Sequence, residues 1–346
     1  MRLGVRPENP IEALALLSGR VPSALFETYF AFMAARVVMA ATSLGVFEAL
    51  AEQPDDATGL AQRLRLDPAG AEVLLLALRA QDYLEERDGR LHNSAQTERF
   101  LLRGAPESLA DWVGGFNYDM WDHFGHLEEV VRSGTPIGLH EREPDDPYWG
   151  RYLRGLFEIS RLQAEVVSRL IPAERPRRLL DLAGGHGGFA MALCRRHPGL
   201  SATVVELEGA ARVGRAIVEE QGMADRVGFA PGDLFERELG TSHDIATAHN
   251  IAHHFSPEQN VELLSRARGA LRANGTMAVL ELERPEPGRR GSPVGTLTGV
   301  LFFITSAART YTGRELAGFL TEAGFRRVRA RRHPELPGSV LVLGRA

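Results

Sequence analysis

Two acids, a run of glycines and a set of histidines are the residues whose types and spacing can do chemistry here. Residues 177–206, RRLLDLAGGHGGFAMALCRRHPGLSATVVE, set Asp181 ahead of Gly184, Gly185, Gly187 and Gly188 and end on Glu206. Glycines at such a turn let the backbone approach a ligand with no Cβ in the way. A helix beginning there turns free N–H groups toward the loop, and the two oxygens of Glu206 match the paired hydroxyls of a ribose. The segment reads as a nucleoside site. Further along, Gly232-Asp233-Leu234-Phe235 offers a carboxylate for an adenine amino group, with Leu234 or Phe235 to pack on the ring. HNIAHHFSPEQ, residues 249–259, adds imidazoles at His249, His253 and His254.

Two cofactors compete for the glycine loop. Gly185 to Ala190 fits GxGxxA, and Glu206 follows Gly187 by 19 residues, near the spacing of a dinucleotide fingerprint. Asp181, Gly185 and Gly187 also fit the D-x-G-x-G-x-G pattern of S-adenosylmethionine (SAM) sites, with Ala183 in place of its first glycine. A dehydrogenase gives no particular reason for Asp233. Adenosine held at its ribose by one acid and at its edge by another does.

The elements that must position these groups follow from hydropathy patterning. Strands are expected at 178–182, 201–206, 227–230, 244–249 and 276–282, with helices between and a last strand at Val340 to Leu343. The strand at Leu179 to Leu182 is apolar on both sides of Asp181, as in a parallel strand covered on both faces. The alternation predicts an α/β fold with a doubly wound, Rossmann-like sheet, in which ligands bind beyond the carboxyl ends of the strands. Thr312 and Glu315 form a capping box for a late helix, and a helix over Tyr152 to Ile171 leads into the sheet.

Residues 10–105 read as helical, with Gly45 breaking a long apolar stretch from Phe26 to Leu50. Asp67 is a candidate N-cap, with Pro68 at the first helical position. Asp88-Gly89 marks a hairpin turn, giving a winged-helix pattern. From Thr58 to Arg99 there are six arginines against seven Asp and Glu, so the segment is not the basic face that gripping phosphates requires. It is assigned to subunit packing, not to nucleic acid. The expected division is 10–105 as a winged-helix dimerisation domain, 106–170 as a helical linker and substrate-pocket segment, and 171–346 as the cofactor domain. Most aromatics of residues 106–150 are expected in the core, with a few lining an apolar pocket. The charged loop Gly138 to Pro147 is a candidate cover for the site.

Composition narrows the classes. The chain has 346 residues, 44% of them hydrophobic, and a formal net charge of −5. It lacks any run of about 18 apolar residues without charges, so its longest apolar helices are expected to be core helices and no membrane partner is assigned. The start, MRLGVRPENP, resembles neither a signal nor a transit peptide. All 40 basic residues are arginine, which excludes a Schiff-base lysine and a Walker lysine. Cys194, the single cysteine, excludes an intrachain disulfide and suits the cytoplasm; it is expected as a buried packing residue. His249, His253 and His254 are not assigned to a metal, because a spacing of four needs a continuous helix and His249 ends a strand.

Taken in order, LLDLAGGHGG, VVELEGA, DRVGFAPGDLF, HNIAHHFSPEQN, LELERP and RTYTGREL–AGF resemble the class I SAM-dependent O-methyltransferases with an N-terminal winged-helix dimerisation domain, the hydroxyindole and phenol methylating group. The resemblance covers nearly all the chain from about residue 20. It implies SAM as cofactor, with Asp181, Ala183, Gly185 and Gly187 at its methionine end, Glu206 on the ribose, Asp233 and Leu234 at the adenine, and His249 in contact with it. It implies a homodimer. It also sets Leu156 at a methionine position of the family's F-x-x-A-M stretch and His253 at its general base, supported by Glu281. Three departures stand out: His254 replaces the usual Asp, Phe255 the Trp, and Thr310 stands where a second supporting acid is expected. Glu283 is a candidate to compensate.

A neutral imidazole of reference pKa about 6.5 faces a phenol near 10, a gap of roughly 5 kcal/mol. Proton removal concerted with methyl transfer is therefore easier than prior ionisation. The expected activity is methyl transfer to a hydroxyl, with a phenolic one on a small aromatic natural product favoured and Trp121, Tyr152, Phe302 and Phe303 as pocket walls. The alternatives are C-methylation, a non-methylating reaction on the same fold (hydroxylation or pericyclic rearrangement), and an NAD-dependent oxidoreductase. A winged-helix regulator sensing a metabolite is the non-enzymatic alternative.

Overall fold

The computed structural model describes residues 7–19 and 21–346. The expectation about a leader in MRLGVR lies outside the described residues. By its internal contacts the chain divides between Tyr118 and Asp119. Residues 106–118 therefore group with the N-terminal unit, and 119–170 with the C-terminal one.

The N-terminal unit runs α1 (Pro10–Leu17), α2 (Ser23–Ser43), α3 (Val46–Glu52), α4 (Ala57–Leu64), α5 (Pro68–Ala80), β1 (Leu84–Arg87), β2 (Arg90–Asn93) and α6 (Ala95–Phe100). Gly45 breaks the apolar stretch as expected, at φ 75°. Asp67 caps α5 by accepting from the Gly70 N–H, with Pro68 in the first turn. The β1–β2 hairpin turns on Asp88 and Gly89, both at positive φ, the conformation a two-residue turn demands. Phe47, Leu50, Leu60, Leu75, Leu78, Leu84 and Leu91 form this unit's core.

One expectation fails here. Only the C-terminal end of α2 enters the core, at Met39 and Ala41, while Leu25, Phe26, Tyr29, Phe30, Phe32 and Met33 are all exposed. By length and composition it is also apolar enough to cross a membrane, since only Glu27 and Arg36 interrupt it.

Next come α7 (Asn117–Phe124), α8 (Leu127–Ser133) and α9 (Tyr148–Leu170). They lead into β3 (Arg178–Leu182), α10 (Gly188–Arg196), β4 (Ser201–Glu206), α11 (Glu208–Glu220), β5 (Val227–Pro231), β6 (His243–His249), α12 (Pro257–Ala270) and β7 (Leu271–Leu282). The chain closes with α13 (Pro293–Ser306), α14 (Gly313–Glu322), β8 (Arg326–Arg331) and β9 (Ser339–Arg345). The capping box is present at Thr312 and Glu315.

The sheet order is β5-β4-β3-β6-β7-β9-β8, parallel from β5 to β7, with β9 antiparallel to both β7 and β8. Strand alternation splits the core in two. Leu179, Val204 and Ile245 face α9, α10 and α11, while Leu180, Leu182 and Ala246 face α12 and α14. Cys194 is fully buried among the first set. The order reverses at β3, which pairs with β4 on one side and β6 on the other. That switch point opens a crevice at the carboxyl ends of the strands. The edge strand β8 was not expected from sequence; it reads RRVRAR and is almost wholly exposed, so it lacks the apolar alternation that marks a strand.

Candidate functional site

The loop after β3 is built for close approach. Ala183, Gly185 and Gly187 all sit at positive φ, at 51°, 52° and 72°, so Ala183 carries a conformation its missing glycine predecessor would hold without strain. A Cβ at Gly184 would lie 2.3 Å from Asp181 Oδ2, which forces glycine there. Below the loop, Asp181 is fully buried. Its Oδ1 accepts from Thr247 Oγ1 at 2.6 Å, while Oδ2 has no partner. Burial pushes its carboxyl up to about 7, against the lowering effect of the Thr247 hydrogen bond. Glu206, ending β4, accepts from the Gly185 N–H at 2.8 Å and the Leu207 N–H at 2.7 Å. Burial raises it too, the two N–H groups opposing.

His249 ends β6 with its ring 4.5 Å from that of Phe189, and neither of its buried ring nitrogens has a partner. Burial, then the neighbouring His186, holds it down to about 3, so it is neutral. Asp233 is exposed after β5, with Oδ1 accepting from the Phe235 N–H. Leu234 turns its side chain into the core beside α12, and Phe235 packs edge-on against Phe255. An adenosyl group with an amino-acid tail fits this set. A buried carboxylate oxygen and two imidazole nitrogens stand unsatisfied beside a loop that admits no side chains, and buried polar groups seek partners.

A second constellation lies at the ends of β6 and β7. His253 is the middle residue of a short helical turn, Ala252–His254. Its Nδ1 is 2.9 Å from Glu281 Oε2, and Glu281 Oε1 accepts from the Ala252 N–H at 2.6 Å. Both side chains are almost wholly buried. The carboxylate accepts, so the proton of the neutral ring sits on Nδ1 and Nε2 keeps a lone pair. Phe302 of α13 stacks flat on the ring, 3.7 Å between centroids and 6° between planes. Thr310 lies against Gly299 and makes no hydrogen bond to this pair. Glu283 does not compensate. It sits past the end of β7 and binds the Arg332 guanidinium and the Gly313 N–H.

The remaining pocket candidates are spread out. Tyr152 is half-buried on α9, its hydroxyl pKa raised by burial and then by Glu206. It stacks on Tyr148 at 5.3 Å between ring centroids. Leu156 packs one turn further on against the core under the glycine loop. Phe303 is half-buried on α13 beside Phe302, and Trp121 on α7 is exposed.

The loop over Gly138 to Pro147 packs against the end of α13. The N–H groups of Ile137 and Gly138 bond the carbonyls of Ile304 and Thr305 at the end of α13. This carries His140 to within 4.7 Å of the His254 ring, edge to face. Sequence reasoning missed His140. Its only signal was a histidine in a loop already marked as a cover.

The chain is similar to known proteins over both of its units. An O-methyltransferase domain model matches residues 124–326, and an O-methyltransferase dimerisation domain model matches residues 26–103. The chain is 30% identical to the 3-hydroxy-5-methyl-1-naphthoate 3-O-methyltransferase of Streptomyces sahachiroi, covering 89% of this chain and 91% of that protein. It is 32% identical to the acetylserotonin O-methyltransferase of Mus musculus, covering 89% and 85%. Its fold superposes on human N-acetylserotonin methyltransferase in complex with SAM with a TM-score of 0.82 and 21% identity, over 99% of each chain.

Proposed function

The chain belongs to the SAM-dependent O-methyltransferase family, and we propose that it methylates a phenolic hydroxyl of a small aromatic natural product with His253 as general base. The dehydrogenase alternative for the glycine loop falls with that membership. Similarity to a hydroxynaphthoate 3-O-methyltransferase supports an aromatic hydroxyl as the acceptor.

SAM, when bound, supplies an electrophilic methyl group on a sulfonium sulfur. Asp181, Ala183, Gly185 and Gly187 are assigned its amino-acid end, where the unpaired Asp181 Oδ2 fits an ammonium. Glu206 is assigned the ribose, Asp233 with Leu234 the adenine, and His249 a further contact. His253 Nε2 takes the hydroxyl proton while Glu281 steadies the ring through Nδ1. Phe302, stacked on the imidazole, and Tyr152, Leu156, Phe303 and Trp121 are assigned the acceptor pocket. Holding oxygen and base in line supplies much of the rate.

The observation that carries this reading is the buried Glu281–His253 pair, which engages Nδ1 and leaves Nε2 without a carboxylate partner. His253→Ala is expected to keep SAM affinity by calorimetry and to lose about a hundred- to ten-thousandfold in turnover. The wild-type product should gain one methylene in mass. Unchanged turnover in the variant would reassign the rate to proximity alone. A product of another mass would favour the non-methylating alternative. The dimerisation domain supports a homodimer, and we assign the enzyme to secondary metabolism in the cytoplasm.

A further inference from the structure

Beside the assigned base stand two imidazoles that the reaction as described does not use. The His254 ring centroid is 4.2 Å from that of His253 and 4.7 Å from that of His140. Both rings are half-buried, and among the described residues neither makes a hydrogen bond. The four nitrogens of these two rings have no protein partner and none is sealed from solvent, so they are open to hydrogen-bond a ligand held beside His253. The described residues contain no group of three His, Cys, Asp or Glu side chains arranged to hold a metal.

The chemistry of that ligand follows from what surrounds the rings. Burial, followed by the neighbouring imidazoles, holds His140 down to about 4 and His254 to about 2. Both are neutral near pH 7, and each then offers one N–H donor. The charges that act on them come from one another and from His253, with no arginine or carboxylate among them. A substrate carboxylate held here would have no arginine side chain beside it and would be costly to desolvate. A neutral oxygen that accepts two hydrogen bonds, a carbonyl, matches two N–H donors. The short step from His253 to His254 requires that carbonyl to sit next to the hydroxyl that His253 deprotonates.

We propose that His140 and His254 bind the carbonyl oxygen of an ortho-acyl phenol while His253 faces its hydroxyl, so that the enzyme selects this substrate class. This rests on the methyltransferase reading above and adds the class of its acceptor. It also answers a difficulty of that class. An ortho-acyl phenol holds its proton in an internal hydrogen bond to the carbonyl, out of reach of a base. Two donors on the carbonyl compete for that bond and turn the proton toward His253 Nε2.

The test compares three naphthols of similar size, each with purified enzyme and SAM, by release of demethylated cofactor. One carries an acetyl group ortho to the hydroxyl, one carries it on the other ring, and one has a second hydroxyl in the ortho position. The wild type is expected to prefer the ortho-acetyl compound in kcat/KM by about tenfold, the size of one or two neutral hydrogen bonds. His254→Phe and His140→Phe should shrink that ratio to about twofold or less, and His254→Asn, which keeps an N–H donor, should restore part of it. Equal use of the two acetyl isomers by the wild type, or an undiminished ratio in both Phe variants, would overturn the proposal. Preference for the dihydroxy compound would overturn it too, reassigning the imidazoles to a second hydroxyl. No methylation of any of the three, with SAM still bound, would instead overturn the proposed function and this inference with it.

Discussion

Glu281 does two jobs with two oxygens, and that fixes what its amide would do. Its Oε1 takes the Ala252 N–H and its Oε2 faces His253 Nδ1. In Glu281→Gln the buried Ala252 donor still demands the carbonyl oxygen. The NH2 then points at His253 Nδ1, which must accept, and the ring proton moves to Nε2. The base is lost without a change of shape. Turnover should fall by about a hundred- to ten-thousandfold with SAM affinity kept; single-turnover rates within about threefold of wild type would sink the argument. Asp181 allows a second test at this scale. Its carboxyl is raised from 3.8 to about 7, so between those values the folded chain holds a proton that the unfolded chain has released. Stability therefore falls as pH rises across that window and is level above it. A cofactor ammonium needs the carboxylate, so binding works the other way. Affinity for SAM should rise by about tenfold per pH unit up to about pH 7 and then level off. Calorimetry showing a flat profile from pH 6 to pH 8 would remove Asp181 from the ammonium.

Among the elements, the close seat of α11 on the glycine loop is a tight constraint, because it is a contact with backbone. A Cβ on Gly214 would lie 2.5 Å from the Gly185 carbonyl oxygen and 2.6 Å from the Phe229 ring. Because one neighbour is backbone, Gly214→Ala must push α11 off the loop. The expected cost is about 1–3 kcal/mol in a urea melt, with weaker SAM binding because Gly185 moves; a variant of wild-type stability and affinity would contradict this packing. The β3–loop–α10–β4 unit was legible in the sequence, since a buried parallel strand, a glycine turn and an acid at a strand end each leave a local mark. The edge strand β8 left none, because exposed arginines need no alternation. Glu283 misled for a related reason. Strand periodicity placed it on the side of Glu281, but β7 ends at Leu282, and past that point Arg332 and Gly313 decide where it turns. The meeting of His140 with His254 was equally hidden, set by two backbone hydrogen bonds to α13 that no local pattern encodes.

At the scale of the whole molecule the informative feature is α2, which exposes large side chains from Leu25 to Met33 in the first half of its 21 residues. Leu25 is 71% exposed and Phe30 56%, a display that a chain on its own in water seldom carries over such a length. Apolar composition alone admits two coverings, a bilayer or another protein surface. The match of residues 26–103 to a dimerisation domain favours the second, and a second copy of this chain is the simplest partner. In a twofold dimer each substitution is felt twice. Removing one well-buried aromatic side chain costs about 2 kcal/mol, so Phe30→Glu should weaken the dimer by about a thousandfold. Sedimentation velocity should then find a wild-type dimer and a variant monomer at the same micromolar concentration, with unchanged helix content by circular dichroism. A wild type that sediments as a monomer and instead partitions onto neutral lipid vesicles would assign the α2 face to a membrane.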